Sequence, residues 1–176
     1  MKALTAIAAL TAAVVVPAAA GAQTISTPSF YGSVGYAHTE LDDVNLGAIQ
    51  GRLGARFAPY FGVEGELAGG VKKDEVNVAG TNVDVELNHQ AAIYGVGFLP
   101  ISPKADLFAR VGYGTSEIEA SGAGASARAD GESWNYGVGG QYFFDEKNGL
   151  RADYTRHDFG DDGDADVWSI GYTRRF

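Results

Sequence analysis

The chain has no cysteine among its 176 residues, which excludes disulfide scaffolds, zinc ribbons and thiol catalysis together. Basic residues are scarce: 13 Lys plus Arg stand against 22 Asp plus Glu, a formal net charge of -9. A nucleic-acid binder needs a basic face to neutralise phosphate, so that class is excluded as well. Beyond residue 22 no apolar run approaches the ~20 residues of a membrane-spanning helix, and the longest, Ala91 to Leu99, is about half of that. Proline numbers only 5. Glycine is in excess: 25 residues, roughly twice ordinary usage. With aromatics at 11%, that excess does not read as disorder.

Met1-Lys2, the apolar stretch Ala3 to Val16 and the small residues after Pro17 have the form of a secretory signal peptide. Ala20-Gly21-Ala22 fits cleavage before Gln23, with cleavage after Ala20 as a second option. Residues 1–22 are therefore expected to be a leader and residues 23–176 a single domain. Loss of Lys2 makes that domain one charge more negative. An exported chain without cysteine is left with the periplasm, the medium or the outer membrane.

Eight segments alternate in character with period two, and period two means strands. In Gly47 to Phe57, Ile49, Leu53 and Phe57 share one face while Gln50, Arg52 and Arg56 share the other. Phe61 to Gly69, Leu107 to Thr115, Trp134 to Phe144, Leu150 to Thr155 and Trp168 to Phe176 separate in the same way. Phe30 to His38 needs glycines on both faces, and Val85 to Leu99 has room for a parity flip around Ala91-Ala92. Short turns are expected at Ala58-Pro59-Tyr60, Ile101 to Asp106 and Asp145 to Gly149. Longer, acidic or Gly-rich loops are expected at His38 to Leu46, Gly70 to Asp84, Ser116 to Ser133 and Asp158 to Asp166. A meander with short turns at one end and long loops at the other predicts an all-β, eight-stranded antiparallel up-and-down transmembrane barrel.

Parity alone does not choose between a soluble barrel, apolar inside, and a membrane barrel, apolar outside. Aromatics near the strand ends favour the second. Tyr36, Tyr113, Trp134 and Trp168 lie toward the long loops and Phe57, Phe61 and Phe144 toward the short turns, as two interfacial girdles would. The C-terminal Ile170-Gly171-Tyr172-Thr173-Arg174-Arg175-Phe176, with Ile170, Tyr172 and Phe176 on alternate positions, looks like the insertion signal of bacterial outer-membrane barrels. Arg174 departs from that pattern, standing where an apolar or aromatic residue is usual. Together with the leader and the Leu107-to-Gly114 strand, the chain resembles the small eight-stranded outer-membrane barrel family of the OmpA transmembrane-domain and OmpX type. The resemblance implies an outer-membrane location, a monomer, insertion by the barrel-assembly machinery, and outer-membrane lipid and lipopolysaccharide as surroundings.

Eight strands close around an interior that side chains fill. Inward parity collects Arg52, Arg56, Arg110, Arg151 and Arg175 with Glu64, Glu66 and Asp153. The turn at Pro59 is expected to set Arg52 opposite Glu66, with Glu64 near both Arg52 and Arg56. Such a set would plug the lumen by ion pairs, since guanidinium stays charged when desolvated and holds carboxylates bidentately; a small porin-like channel is the alternative.

A lipid-modifying enzyme would need a His with a Ser and a carboxylate nearby. His157-Asp158 with Ser116 or Ser133 shows no deacylase pattern, and His38 and His89 offer none, so the chain reads as non-enzymatic, with no cofactor. Asp162-x-Asp164-x-Asp166 begins an EF-hand spacing, but Val167 replaces the glycine and Thr173 the final glutamate. What remains is an acidic loop that would bridge to lipopolysaccharide phosphates through Mg²⁺ or Ca²⁺. A periplasmic lipocalin-like carrier, parity reversed, is the remaining rival.

Overall fold

A computed structural model of the chain describes residues 28–176 except 42–43, 73, 79–80 and 123–124; the leader reading falls outside the described residues. Nine strands follow one another as β1 (Ser29–Leu41), β2 (Val44–Ala58), β3 (Phe61–Lys72), β4 (Asp74–Val78), β5 (Thr81–Ser102), β6 (Ala105–Gly122), β7 (Ala125–Phe143), β8 (Asn148–Asp158) and β9 (Asp164–Arg175). Every pairing is antiparallel between neighbours, the first and last strands pair, and β3 closes the ring on β5. The short β4 pairs with the upper part of β5 above the β3 ladder. β3 and β4 thus act as one stave, and the wall is a closed eight-stranded barrel.

Alternation sorts the side chains. Leu53, Leu67, Ile93, Val138 and Ile170 point outward and are more than half exposed, whereas Arg52, Glu64, Arg110 and Arg151 point inward and are buried. Apolar surface therefore faces out and charge faces in, the inverse of a soluble barrel. The fourth expected segment keeps one parity through Ala91-Ala92. Its irregularity lies lower in sequence, between Leu87 and His89, and Tyr94, Val96 and Phe98 turn inward.

The expected long loops are mostly ladder. β1 and β2 pair up to Leu41↔Val44, and β6 and β7 up to Gly122↔Ala125, so the Ser116-to-Ser133 link is a two-stranded ribbon. β5 runs for 22 residues and β7 for 19, well beyond the ~10 that cross a bilayer. Backbone hydrogen bonding continues a hairpin after the apolar alternation that identified it has ended. The β8–β9 link passes through a 3-10 turn at Gly160–Asp162.

Several inward-facing glycines leave room for large rings. A Cβ on Gly112 would lie 2.5 Å from Tyr94 Cδ1, and one on Gly139 would lie 2.5 Å from Phe108 Cζ. Gly112→Val is expected to cost about 2 kcal/mol through overpacking, read as a lower urea midpoint; an unchanged midpoint would contradict the ring-on-glycine packing.

At the short-turn end Asp145 Oδ1 accepts the backbone N–H groups of Lys147 at 2.7 Å and Asn148 at 2.6 Å, and the Asn148 amide donates to Oδ2 at 2.8 Å. These donors favour the carboxylate and hold its pKa down to about 2, below the ordinary aspartate value. A depressed folded pKa gives stability that is full above the unfolded value, ~3.9, and lost as pH falls toward 2. A carboxyl titration followed by NMR should show a midpoint near 2; one near 4 would contradict the turn geometry.

Candidate functional site

The lumen is the site, and its centre is a layer of three guanidiniums and three carboxylates. The β2–β3 register places Arg52 directly across from Glu66, and Arg52 Nε donates to Glu66 Oε2 at 2.5 Å. The other nitrogens of Arg52 form a two-point clasp on Asp153 of β8, at 2.6 and 3.0 Å. Arg151 makes the same kind of clasp on Glu64, at 2.7 and 3.1 Å. Arg110 is the hub. Its Nη1 reaches Glu66 at 2.8 Å and Glu64 at 3.3 Å, and its Nη2 reaches Asp153 at 3.1 Å and Thr155 Oγ1 at 2.6 Å. Tyr31 donates to Glu64 at 3.0 Å and Tyr94 to Glu66 at 3.2 Å.

All six charged side chains are essentially buried. Isolated charges of that kind would be prohibitively costly, and only full mutual pairing makes them tolerable. Equal numbers of each sign leave the layer neutral. Chains of donors tie β2, β3, β6 and β8 across the barrel, so the layer cross-braces opposite walls.

A second layer lies toward the short turns. Asp106 Oδ2 accepts from Gln141 at 2.8 Å, from Arg175 at 2.9 Å and from Arg56 at 3.4 Å. Arg56 also caps the carbonyl of Pro59 from Nε, at 3.0 Å. The expectation that Glu64 would neighbour Arg56 is corrected: Glu64 is taken up by Arg151 and Arg110, and Arg56 turns down to Asp106. Asp106 was hidden at the edge of an expected turn, although it shares parity with Phe108 and Arg110. Asp106 Oδ1 and Gln141 Oε1 have no partner among the described residues, so this layer is less completely satisfied than the central one.

Aromatic rings inside the barrel were also missed. Arg110 lies over Tyr94 at 4.3 Å, Arg151 over Phe108 at 4.0 Å, Arg56 over Phe98 at 4.3 Å and Arg175 over Phe143 at 3.5 Å. Each ring fills space and presents its electron-rich face to a guanidinium. Phe108 and Phe143 on the polar parity, and the doubly apolar Ile93-to-Leu99 stretch, were the available signals.

The expected girdle residues Tyr36, Phe57, Phe61, Tyr113, Trp134, Phe144 and Trp168 all face outward and are exposed, as are Ile170, Tyr172 and Phe176 of the last strand. Arg174 is exposed beside them. His157 is buried at the upper end of the lumen and stacks on Phe159 at 6.4 Å, with neither Ser116 nor Ser133 bonded to it. In the acidic hairpin Arg156 pairs with Asp164 and, at 3.3 Å, with Asp166. Among the described residues no group of three or more His, Asp or Glu is arranged to hold a metal ion.

Similar solved structures include Ail, the attachment invasion locus protein of Yersinia pestis, in complex with the heparin analogue sucrose octasulfate. It is 23% identical with a TM-score of 0.63, over 85% of this chain and 99% of that one. The N-terminal β-barrel domain of Pseudomonas aeruginosa OprF is 12% identical with a TM-score of 0.64, over 85% and 98%. Neisserial surface protein A is 13% identical with a TM-score of 0.63, over 84% and 97%. At these identities the likeness carries the fold alone. No curated protein matches the chain. The model of the outer membrane protein beta-barrel domain matches residues 6–176. With apolar side chains outside, a closed eight-stranded wall and that match over nearly its whole length, the chain belongs to the outer-membrane β-barrel family.

Proposed function

We propose that this barrel is a non-enzymatic structural element of the outer membrane that supports envelope integrity and surface contact, with its lumen closed by the arginine and carboxylate layers. The observation that carries this reading is the central layer: Arg52, Arg110 and Arg151 bonded to Glu64, Glu66 and Asp153 across the full width of the barrel. An ion crossing it would have to break several buried pairs at once, each costly to open. The outward aromatics serve as interface anchors, and Ile170, Tyr172 and Phe176 as the segment read by the assembly machinery. Outer-membrane lipid and lipopolysaccharide are the partners of the outer wall, and the protein is a monomer. Residues 1–22 direct export.

Cells lacking the chain are expected to become more sensitive to detergent, and re-expression to restore resistance without raising uptake of small hydrophilic solutes. Unchanged sensitivity on deletion would overturn the integrity role. Uptake that rises with expression would replace the plug by the small porin-like channel.

A further inference from the structure

The outer wall carries the same arrangement twice. Tyr113 faces Trp134 across the β6–β7 ladder, and Tyr154 faces Trp168 across β8–β9. The ring centroids are 5.4 and 4.8 Å apart. In each copy the tyrosine hydroxyl donates, at 2.8 Å, to a carboxylate two positions before the tryptophan: Glu132 in one, Asp166 in the other. Tyr113 and Glu132 line one outward, apolar groove, and Tyr154 and Trp168 line another. The groove reaching Tyr113 and Glu132 is about 750 Å³, within the range of small-molecule sites. The groove reaching Tyr154 and Trp168 is about 1090 Å³.

The first groove has a floor of Gly51, Gly65 and Ala91 and walls of Leu53, Leu67 and Ile93. It follows the row Gly51, Leu67, Ala91, Thr115, Glu132 around the barrel. Gly51 is fewer residues from its short turn at Pro59 than Glu132 is from its own at Asp145. The groove therefore climbs from the hydrocarbon toward the outer headgroups, with the carboxylate at the top.

One difference between the two copies concerns the cation beside the carboxylate. Beside Asp166 the chain supplies its own cation, Arg156, with Nη1 3.3 Å from Oδ1. Among the described residues no cation pairs with Glu132. We propose that the Glu132 groove holds one membrane phospholipid whose headgroup carries a primary ammonium, its acyl chain along the groove and its ammonium where Arg156 sits in the other copy. A carboxylate accepts charge-assisted hydrogen bonds from such a group, and the exposed faces of Trp134 and Tyr113 attract the same cation. A headgroup with only a negative charge is repelled by Glu132, and a quaternary one donates no hydrogen bond to it.

The test is native mass spectrometry of the refolded full chain, released from mixed micelles containing equal amounts of ethanolamine-, choline- and glycerol-headed phospholipids with identical acyl chains, in EDTA. Folding of every variant is first checked by the mobility difference between heated and unheated samples. One ethanolamine-headed lipid is expected to be retained about tenfold over the others, the scale of one charge-assisted hydrogen bond. Glu132→Gln is expected to abolish that preference, and Asp166→Asn to leave it intact. Equal retention of the three lipids, or preference for the glycerol headgroup, overturns the proposal on the unaltered chain. So does a Glu132→Gln barrel that keeps the preference, or an Asp166→Asn barrel that loses it.

Discussion

Replacing Arg110 with methionine is expected to lower the free energy of unfolding by about 4 kcal/mol, the scale of removing one partner from a buried ion pair. Methionine retains a long apolar stem, so the effect reads lost charge more than lost volume. Three carboxylates, Glu64, Glu66 and Asp153, would then share only Arg52 and Arg151, and Thr155 Oγ1 would lose its donor. Urea unfolding followed by tryptophan fluorescence measures the change. Combining Arg110→Met with Glu66→Gln restores charge balance and should recover part of the loss, because neighbours in one network are not additive. A midpoint unchanged by Arg110→Met would contradict the hub role.

Asp106→Ala is the second large effect, about 3 kcal/mol. It would leave Arg56 and Arg175 facing each other with no carboxylate between them. Two facts keep it below the Arg110 effect. Arg175 is 21% exposed at the barrel mouth, so water screens it, and Asp106 uses only one of its two oxygens. The loss should be partly rescued in Asp106→Ala by Arg175→Gln, which removes one of the two opposed charges. If Asp106→Ala unfolds at the same urea concentration as the unaltered barrel, the lower layer contributes nothing to stability.

Much of the wall was legible in the sequence because a β-strand reports its two faces by simple alternation. Leu53 against Arg52, Val138 against Asn135 and Ile170 against Ser169 were enough to fix inside and outside once the aromatics near the ends favoured lipid. The pairing of Arg52 with Glu66 followed from the short turn at Pro59, which sets the register. The long hairpins were not legible: β6 and β7 continue to Gly122↔Ala125 on backbone hydrogen bonds, in a Gly, Ala and Ser-rich stretch without alternation. The choice of partner across the lumen was not legible either. That Glu64 meets Arg151, 87 positions away, while Arg56 descends to Asp106, depends on the closure of β3 on β5 and on strand stagger. Rings on the polar parity, Phe108 and Phe143, are easily passed over as exceptions, yet each lies against a guanidinium.

Single-channel conductance in a planar bilayer, on the chain refolded and checked by heat-dependent mobility, addresses closure of the lumen directly. The neutral, cross-bonded central layer predicts a silent barrel for the unaltered chain. Reproducible open steps from the unaltered chain would contradict the plugged lumen and make the buried charges the lining of a pore.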